Sequence, residues 1–259
     1  MKRWPVRPSP DLRYAAPVVS GILSGIGTAR LAHSYLAAMQ QVLPVTFCTV
    51  FAVSAEGRVE TVSAASSYGH TAERTAERYV AQRHDRLDPH MTWLAARQLP
   101  RRAQLWLGHL HADEIADAAY RAACYGEVGI RERASVLLLM PSGQRAAVSF
   151  YRSLAQPDFG AADFELLAAH AGLLADATAA HGRGASAART AAEPEIASRL
   201  LGLSLREREA IGHLLAGRTA KQAAREIGIE PTTVRTHQYR AFRRLRVASL
   251  KELLIGAQR

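Results

Sequence analysis

The sequence predicts an α+β protein: an N-terminal α/β/α domain built on an antiparallel sheet, followed by an all-α domain of four short helices. Three observations carry this. The front of the chain runs helix, two strands, helices, two strands, helix, an order that lays helices over an antiparallel sheet. Residues 182–195 then shift to small residues, Gly, Pro and charge, as a linker does. The last sixty or so residues repeat one local signal, a Ser or Thr followed three places later by Glu or Gln, which marks helix starts.

The expected division is a loose, Pro-rich and basic tail over 1–20, a domain over 21–181, the linker over 182–195 and a second domain over 196–259. From Gly25 to about Val42, Leu31, Leu36, Met39 and Val42 recur at helical spacing. Val45–Ser54 is rich in β-branched and aromatic residues and predicts a strand. Glu56-Gly57 signals a turn into a second strand over Arg58–Ala64, together a hairpin. Thr71 to about Gln98 is mostly helical, broken near Asp88-Pro89, because proline lacks a donor and disfavours helix before it. Ala112–Cys124 predicts another helix. Ala134–Met140 and Arg145–Arg152 predict strands around the turn Pro141-Ser142-Gly143, and Phe159–His181 a long amphipathic helix.

The chain has 259 residues, enough for two domains, and 48% of them are hydrophobic, enough for buried cores. No apolar run reaches membrane-spanning length and no signal-like segment opens the chain, so a soluble, cytoplasmic protein is expected. Cys48 and Cys124 lie far apart without metal-ligand spacing and read as small core residues. The net charge is +10, and its distribution is uneven. Leu201–Arg259 holds twelve basic residues against five acids, a net of +7 in under a quarter of the chain, which suits a polyanionic partner.

That segment resolves into four helices. Ser204-Leu205-Arg206-Glu207, Thr219-Ala220-Lys221-Gln222 and Ser249-Leu250-Lys251-Glu252 have the form of capping boxes, and Pro231 opens a further helix at a position where its missing N–H is harmless. Gly217 and Gly228 follow the first two helices as stops. The expected helices are Leu205–Ala216, Ala220–Ile227, Pro231–Leu245 and Leu250–Gly256. Ala223 and Ala224 let the third cross closely over the second, and Gly228-Ile229-Glu230 is as short as a helix-turn-helix turn requires. The third helix carries Val234, Ala241 and Leu245 on one stripe and Thr232, Arg235, Thr236, Tyr239, Arg240 and Arg243 on another. Arginine pairs bidentately with guanine in the major groove, and threonine touches a thymine methyl or a phosphate. Thr219, Lys221, Thr232, Thr233, Arg235, Thr236, His237, Arg240, Arg243 and Arg244 are the candidate DNA contacts, with Arg240, Arg243, Arg244 and Arg246 placed to bracket the backbone.

The same segment resembles the LuxR-type helix-turn-helix of transcription regulators. The resemblance rests on Leu203-Ser204-Leu205-Arg206-Glu207-Arg208-Glu209-Ala210-Ile211, Ala216-Gly217-Arg218-Thr219-Ala220-Lys221-Gln222-Ala223-Ala224, Thr233-Val234-Arg235-Thr236-His237 and Arg244-Leu245-Arg246-Val247, in register without a gap. It implies that Thr233, Arg235 and His237 contact DNA or hold the recognition helix, with Val234 in the core. Double-stranded DNA is the implied partner, bound by a homodimer, with RNA polymerase as a candidate protein partner and no membrane. Glu230 departs from the family's capping serine, and Ala223 and Ala241 replace larger aliphatics.

The front domain resembles the GAF-related sensor domains of autoinducer-binding regulators. Tyr79 and Asp88 stand at a spacing similar to the tyrosine and aspartate of acyl-homoserine-lactone receptors, although Thr75 occupies the place of an expected tryptophan. Tyr79, Asp88, Trp93, Trp106 and Tyr120 are the candidate ligand-binding residues, and a small-molecule ligand is the implied regulator. Read from the residues, Tyr79 also suits a core aromatic and Asp88 a helix cap before Pro89. Tyr120, Cys124 and Tyr125 either line a pocket or pack. A lactone receptor proper and a ligand-independent regulator stay open as alternatives.

No cofactor is expected. The chain has no GxSxG, P-loop or HExxH pattern, so catalysis is not expected. His109-Leu110-His111 with Asp113 could chelate a metal but lacks an indicated further ligand. A response-regulator front half needs a phosphoacceptor aspartate at a strand end, and Val45–Ser54 carries none.

Overall fold

The computed structural model describes residues 1–6, 13–54, 57–200, 202–250 and 252–253, without the side chains of 185–199. It divides into two compact units, Met1–Arg183 and Gly184–Arg259.

The first unit is a six-stranded sheet in which every neighbouring pair is antiparallel. Its strands are β1 (Lys2–Val6), β2 (Phe47–Val53), β3 (Val59–Ser66), β4 (Gln104–His111), β5 (Ile130–Leu139) and β6 (Arg145–Ser153), in the order β1-β4-β5-β6-β2-β3. Helices cover both faces. Val136 and Leu138 of β5 pack with α1 (Ala16–Leu23), α2 (Leu31–Met39) and the front of α6 (Ala161–Leu200). Leu137 and Leu139, pointing the opposite way, pack with α3 (Thr71–Ala81), α4 (Pro89–Ala96) and α5 (Ala118–Arg121). A strand buried on both sides reads as one apolar run, which is why β5 ends Val-Leu-Leu-Leu.

Several expectations need correction. The opening residues are not a loose tail throughout: Lys2–Val6 pair with β4 at the sheet edge, where Pro5 is tolerated. Neither β1 nor β4 is foreseen from the sequence. The helix expected from Gly25 to about Val42 is α2, which starts only at Leu31; α1, before Gly25, is not foreseen from the sequence, and Gly27 between the two stands at φ +76°. The helix expected over Ala112–Cys124 is broken into a 3-10 turn (Ala112–Glu114), α5 and a turn of π-helix (Ala122–Gly126). Asp117 starts α5 by accepting from the Tyr120 N–H at 2.7 Å, competing with a helix that would run through it. The Glu56 half of the expected turn lies outside the described residues; Gly57 is left-handed at φ +75°. Helix α6 runs through residues 182–195, where the sequence suggests a linker.

The second unit contains α7 (Leu205–Leu215), α8 (Ala220–Ile227) and α9 (Pro231–Leu245). Two capping boxes close as the sequence predicts. The Glu207 carboxylate accepts from the Ser204 N–H at 2.9 Å, and Gln222 accepts from the Thr219 N–H at 2.9 Å. Gly228 stops α8 at φ +77°, a region that costs other residues strain. Ala223, Ala224 and Val234 are buried together, and Ala241 joins Leu203, Ile211 and Leu253. Of the fourth helix, Leu250, Glu252 and Leu253 are helical, and the remainder of its expected span lies outside the described residues.

Candidate nucleic-acid interface and enclosed pocket

Helix α9 has two faces. Val234 and Ala241 anchor the inner one, while Thr232, Thr233, Arg235, Thr236, Tyr239, Arg240 and Arg243 are exposed. Thr219 and Lys221 are exposed at the start of α8. Among the described residues, Lys221, Arg235, Arg240 and Arg243 have no acidic partner, so their charge is free for an outside anion. The Thr236 hydroxyl donates back to the Thr232 carbonyl at 3.0 Å. Glu230 stands exposed at the N-cap of α9 and makes no side-chain cap bond.

Two of the expected contacts are partly engaged within the domain. Arg244 pairs with Glu207 at 3.2 Å, tying the end of α9 to the start of α7. His237 is half-buried and close to the same carboxylate. Burial would raise the Glu207 pKa, but hydrogen bonds from the Ser204 N–H and hydroxyl, together with Arg244 and His237, hold it below the usual carboxylate value. Arg244 thus fastens α9 to the start of α7.

In the first unit, the candidate ligand residues divide. Asp88 is fully buried and caps α4, with Oδ1 accepting from the N–H groups of His90 at 2.8 Å and Met91 at 3.4 Å. Arg133 of β5 meets it bidentately, Nη1 to Oδ2 at 2.7 Å and Nη2 to Oδ1 at 2.8 Å. The hydroxyls of Tyr79 and Tyr120 donate to Oδ2 at 3.0 and 3.1 Å. Burial opposes ionisation of Asp88, yet the Arg133 guanidinium outweighs it and holds the carboxyl well below the usual range. Burial, followed by the charge of Asp88, pushes both tyrosines well above their ordinary values, so they remain donors. Arg133 also meets His90 Nδ1 at 3.1 Å, and burial and the guanidinium hold His90 neutral by lowering its pKa. The His90 ring lies against Gly108 of β4, where an added Cβ would stand 2.7 Å from it.

Over this network lies a small cavity of about 30 Å³ between the sheet and α3 and α5. Phe47, Thr49 and Phe51 of β2, Tyr79, Tyr120, Cys124, Tyr125, Arg133 and Tyr151 line it. Burial pushes the Cys124 thiol up to about 12, so it lines the cavity as a neutral group. Trp93 and Trp106 do not belong here. They pack edge to face, 5.3 Å apart, with the Arg97 guanidinium 4.5 Å over Trp93, and line no part of the cavity. Arg133 is the residue the sequence reading missed. Its signal was one of two arginines, Arg131 and Arg133, next to the apolar stretch of β5, 45 residues from its partner.

His109 and His111 do not converge on one site. His109 bonds Glu132 at 2.6 Å, and His111 bonds Asp113 at 2.7 Å. Among the described residues no three metal-ligating side chains gather. No described helix is long and apolar enough to cross a membrane.

Residues 201–257 match the model of a family described as bacterial regulatory proteins, luxR family. Over 97 residues the chain is 37% identical to the transcriptional regulatory protein FixJ of Azorhizobium caulinodans, an alignment covering 37% of this chain and 46% of that protein. The chain therefore spans about half the length of the curated relative it matches. Among solved structures it is similar to CepR2 of Burkholderia cenocepacia, described as an N-acylhomoserine lactone dependent LuxR family transcription factor, with a TM-score of 0.46 at 20% identity over 63% of this chain and 90% of that one. It is also similar to SdiA of Escherichia coli, with a TM-score of 0.45 at 17% identity over 91% of this chain and 92% of that one.

Proposed function

We propose that this chain, whose residues 201–257 form a luxR-family helix-turn-helix domain, is a sequence-specific DNA-binding transcription regulator. The observation that carries the reading is α9. Its inner stripe is locked by Val234 and Ala241, and its outer stripe presents Thr232, Thr233, Arg235, Thr236, Arg240 and Arg243 unpaired by acids among the described residues. A helix held this way enters a major groove with its N-terminal residues on base edges and its later arginines on phosphate. One domain covers little DNA, so the protein binds as a homodimer on half-sites about one helical turn apart. RNA polymerase is the partner through which such a regulator acts. The enclosed pocket of the first unit takes a small molecule that controls the protein.

The test is direct. An operator is selected from random duplexes and binding is followed by fluorescence anisotropy at two salt concentrations. Arg235→Ala is expected to weaken specific binding by about 1–3 kcal/mol. Unchanged affinity in both Arg235→Ala and Thr233→Ala would sink the assignment of α9 as the reading helix.

A further inference from the structure

We infer that Glu230, at the mouth of α9, is a specificity-determining residue: its carboxylate accepts a hydrogen bond from the N4 amino group of a cytosine in the major groove. This rests on the reading of α9 as the helix that enters the groove.

Glu230 stands apart from the other acids of its domain. Residues 201–259 contain five acids, and four of them are engaged within the domain. Glu207 accepts from the Ser204 N–H and pairs with Arg244. Glu209 pairs with Arg206 at 2.8 Å. Glu226 meets His213 at 2.9 Å and Arg218 at 3.3 Å. Glu252 accepts from the Ala248 N–H at 2.6 Å. Glu230 is exposed, and among the described residues its carboxylate has neither an ion pair nor a hydrogen bond. Its backbone does not explain this. At φ −74° and ψ 148° it matches Ser204 and Thr219, whose side chains accept from the helices they start. The glutamate side chain is a methylene longer than that of the favoured cap aspartate and does not fold back. Helix α9 thus forgoes a side-chain cap and holds a carboxylate outward at the end from which Thr232, Thr233 and Arg235 follow.

Charge and base chemistry select the partner. The N-terminal residues of a reading helix meet base edges. A carboxylate there is repelled by phosphate and gains only from a donor. In the major groove guanine presents two acceptors and thymine an acceptor and a methyl group. Adenine presents an amino group beside its N7 acceptor, and cytosine an amino group alone. Cytosine is therefore the base that offers the carboxylate a donor with no opposing acceptor. Arg235 lies five residues further on, about 7.5 Å along the helix axis. A base step is about 3.4 Å, so the cytosine falls about two steps from the base that Arg235 meets.

The test uses the full chain and the operator it selects from random duplexes, with affinity read by fluorescence anisotropy. Each operator position is changed in turn to the other three base pairs. The wild-type chain is expected to lose about tenfold at one cytosine per half-site, the size of one hydrogen bond to a charged group. Glu230→Ser is expected to lose that discrimination, keep the preferences at other positions and bind unrelated duplexes more tightly. Glu230→Gln is expected to move the preference at that one position to adenine, whose amino group and N7 suit an amide. Serine supplies the cap that α9 lacks and glutamine keeps the size, so a loss of fold in one leaves the other to carry the comparison. A duplex with 2-pyrimidinone, a cytosine without its amino group, at that position is expected to weaken the wild-type chain by the same factor and leave Glu230→Ser unaffected. A Glu230-dependent position that holds adenine, or an amino-free base that costs the wild-type chain nothing, overturns the cytosine assignment. Tighter binding of both variants to every duplex, with no change at any one position, shows that Glu230 only repels phosphate and also overturns it. In these cases α9 stays the reading helix if Arg235→Ala and Thr233→Ala still weaken specific binding. If they do not, that reading and the inference fall together.

Discussion

Removing the Asp88 side chain gives the sharpest test of how the first unit is held together. Asp88→Ala strands the Arg133 guanidinium, which is buried to 3% exposure, and leaves the Tyr79 and Tyr120 hydroxyls without their acceptor. Breaking a buried ion pair from one side costs about 3–5 kcal/mol. Loss of the α4 cap adds about 1 kcal/mol. The orphaned hydroxyls add more, though less than their separate values, since the groups form one network. The expected loss is therefore at least about 4–6 kcal/mol, a large share of the roughly 5–15 kcal/mol that holds a domain. All three tryptophans, Trp4, Trp93 and Trp106, lie in the first unit, so their fluorescence in urea reports it alone. The double variant Asp88→Ala/Arg133→Met removes both charges and is expected to lose less than Asp88→Ala by itself. A loss below about 1 kcal/mol in Asp88→Ala, or a double variant whose loss equals the sum of the two singles, refutes the network as described.

The same pair sets a pH dependence. The Asp88 carboxyl lies below its unfolded value of 3.8, so its contribution is fully present above that pH and is lost as pH falls toward the folded value. Urea midpoints measured from pH 6 to pH 3 should therefore fall less steeply in Asp88→Asn than in the wild-type chain. Gly108→Ala drives a methyl against the His90 ring and is expected to cost about 1–3 kcal/mol in the same urea assay. Arg243→Ala and Arg244→Ala should separate binding from folding. Arg243→Ala is expected to lower the salt slope of DNA binding by about 1 without changing stability. Arg244→Ala is expected to loosen the α7 start through Glu207, read as a lower thermal midpoint of the second unit.

The second unit was legible because its signals are local. Ser204 and Glu207, or Thr219 and Gln222, lie three residues apart, and a helix brings such residues together wherever it forms. The bounds of α8 and α9 follow from those caps, Gly228 and Pro231. The fine roles on α9 were less legible. Arg243 and Arg244 are adjacent and identical in type, and only the rotation of α9 against α7 directs one outward and the other to Glu207.

The sequence by itself determined the character of the second unit, since the helix caps and the excess of positive charge near α9 follow from residue type and short spacing. Tertiary structure alone decided what surrounds Asp88. Sequence showed a residue able to cap α4, and it does cap α4. That the same carboxylate also meets Arg133 depends on β5 passing beneath α4, and that β1 exists as a strand depends on pairings such as Lys2 with His109. Contacts across so many residues carry no periodic signature in the chain. They form because an ion pair and an edge strand are stable only once the sheet has excluded water from one and offered hydrogen bonds to the other.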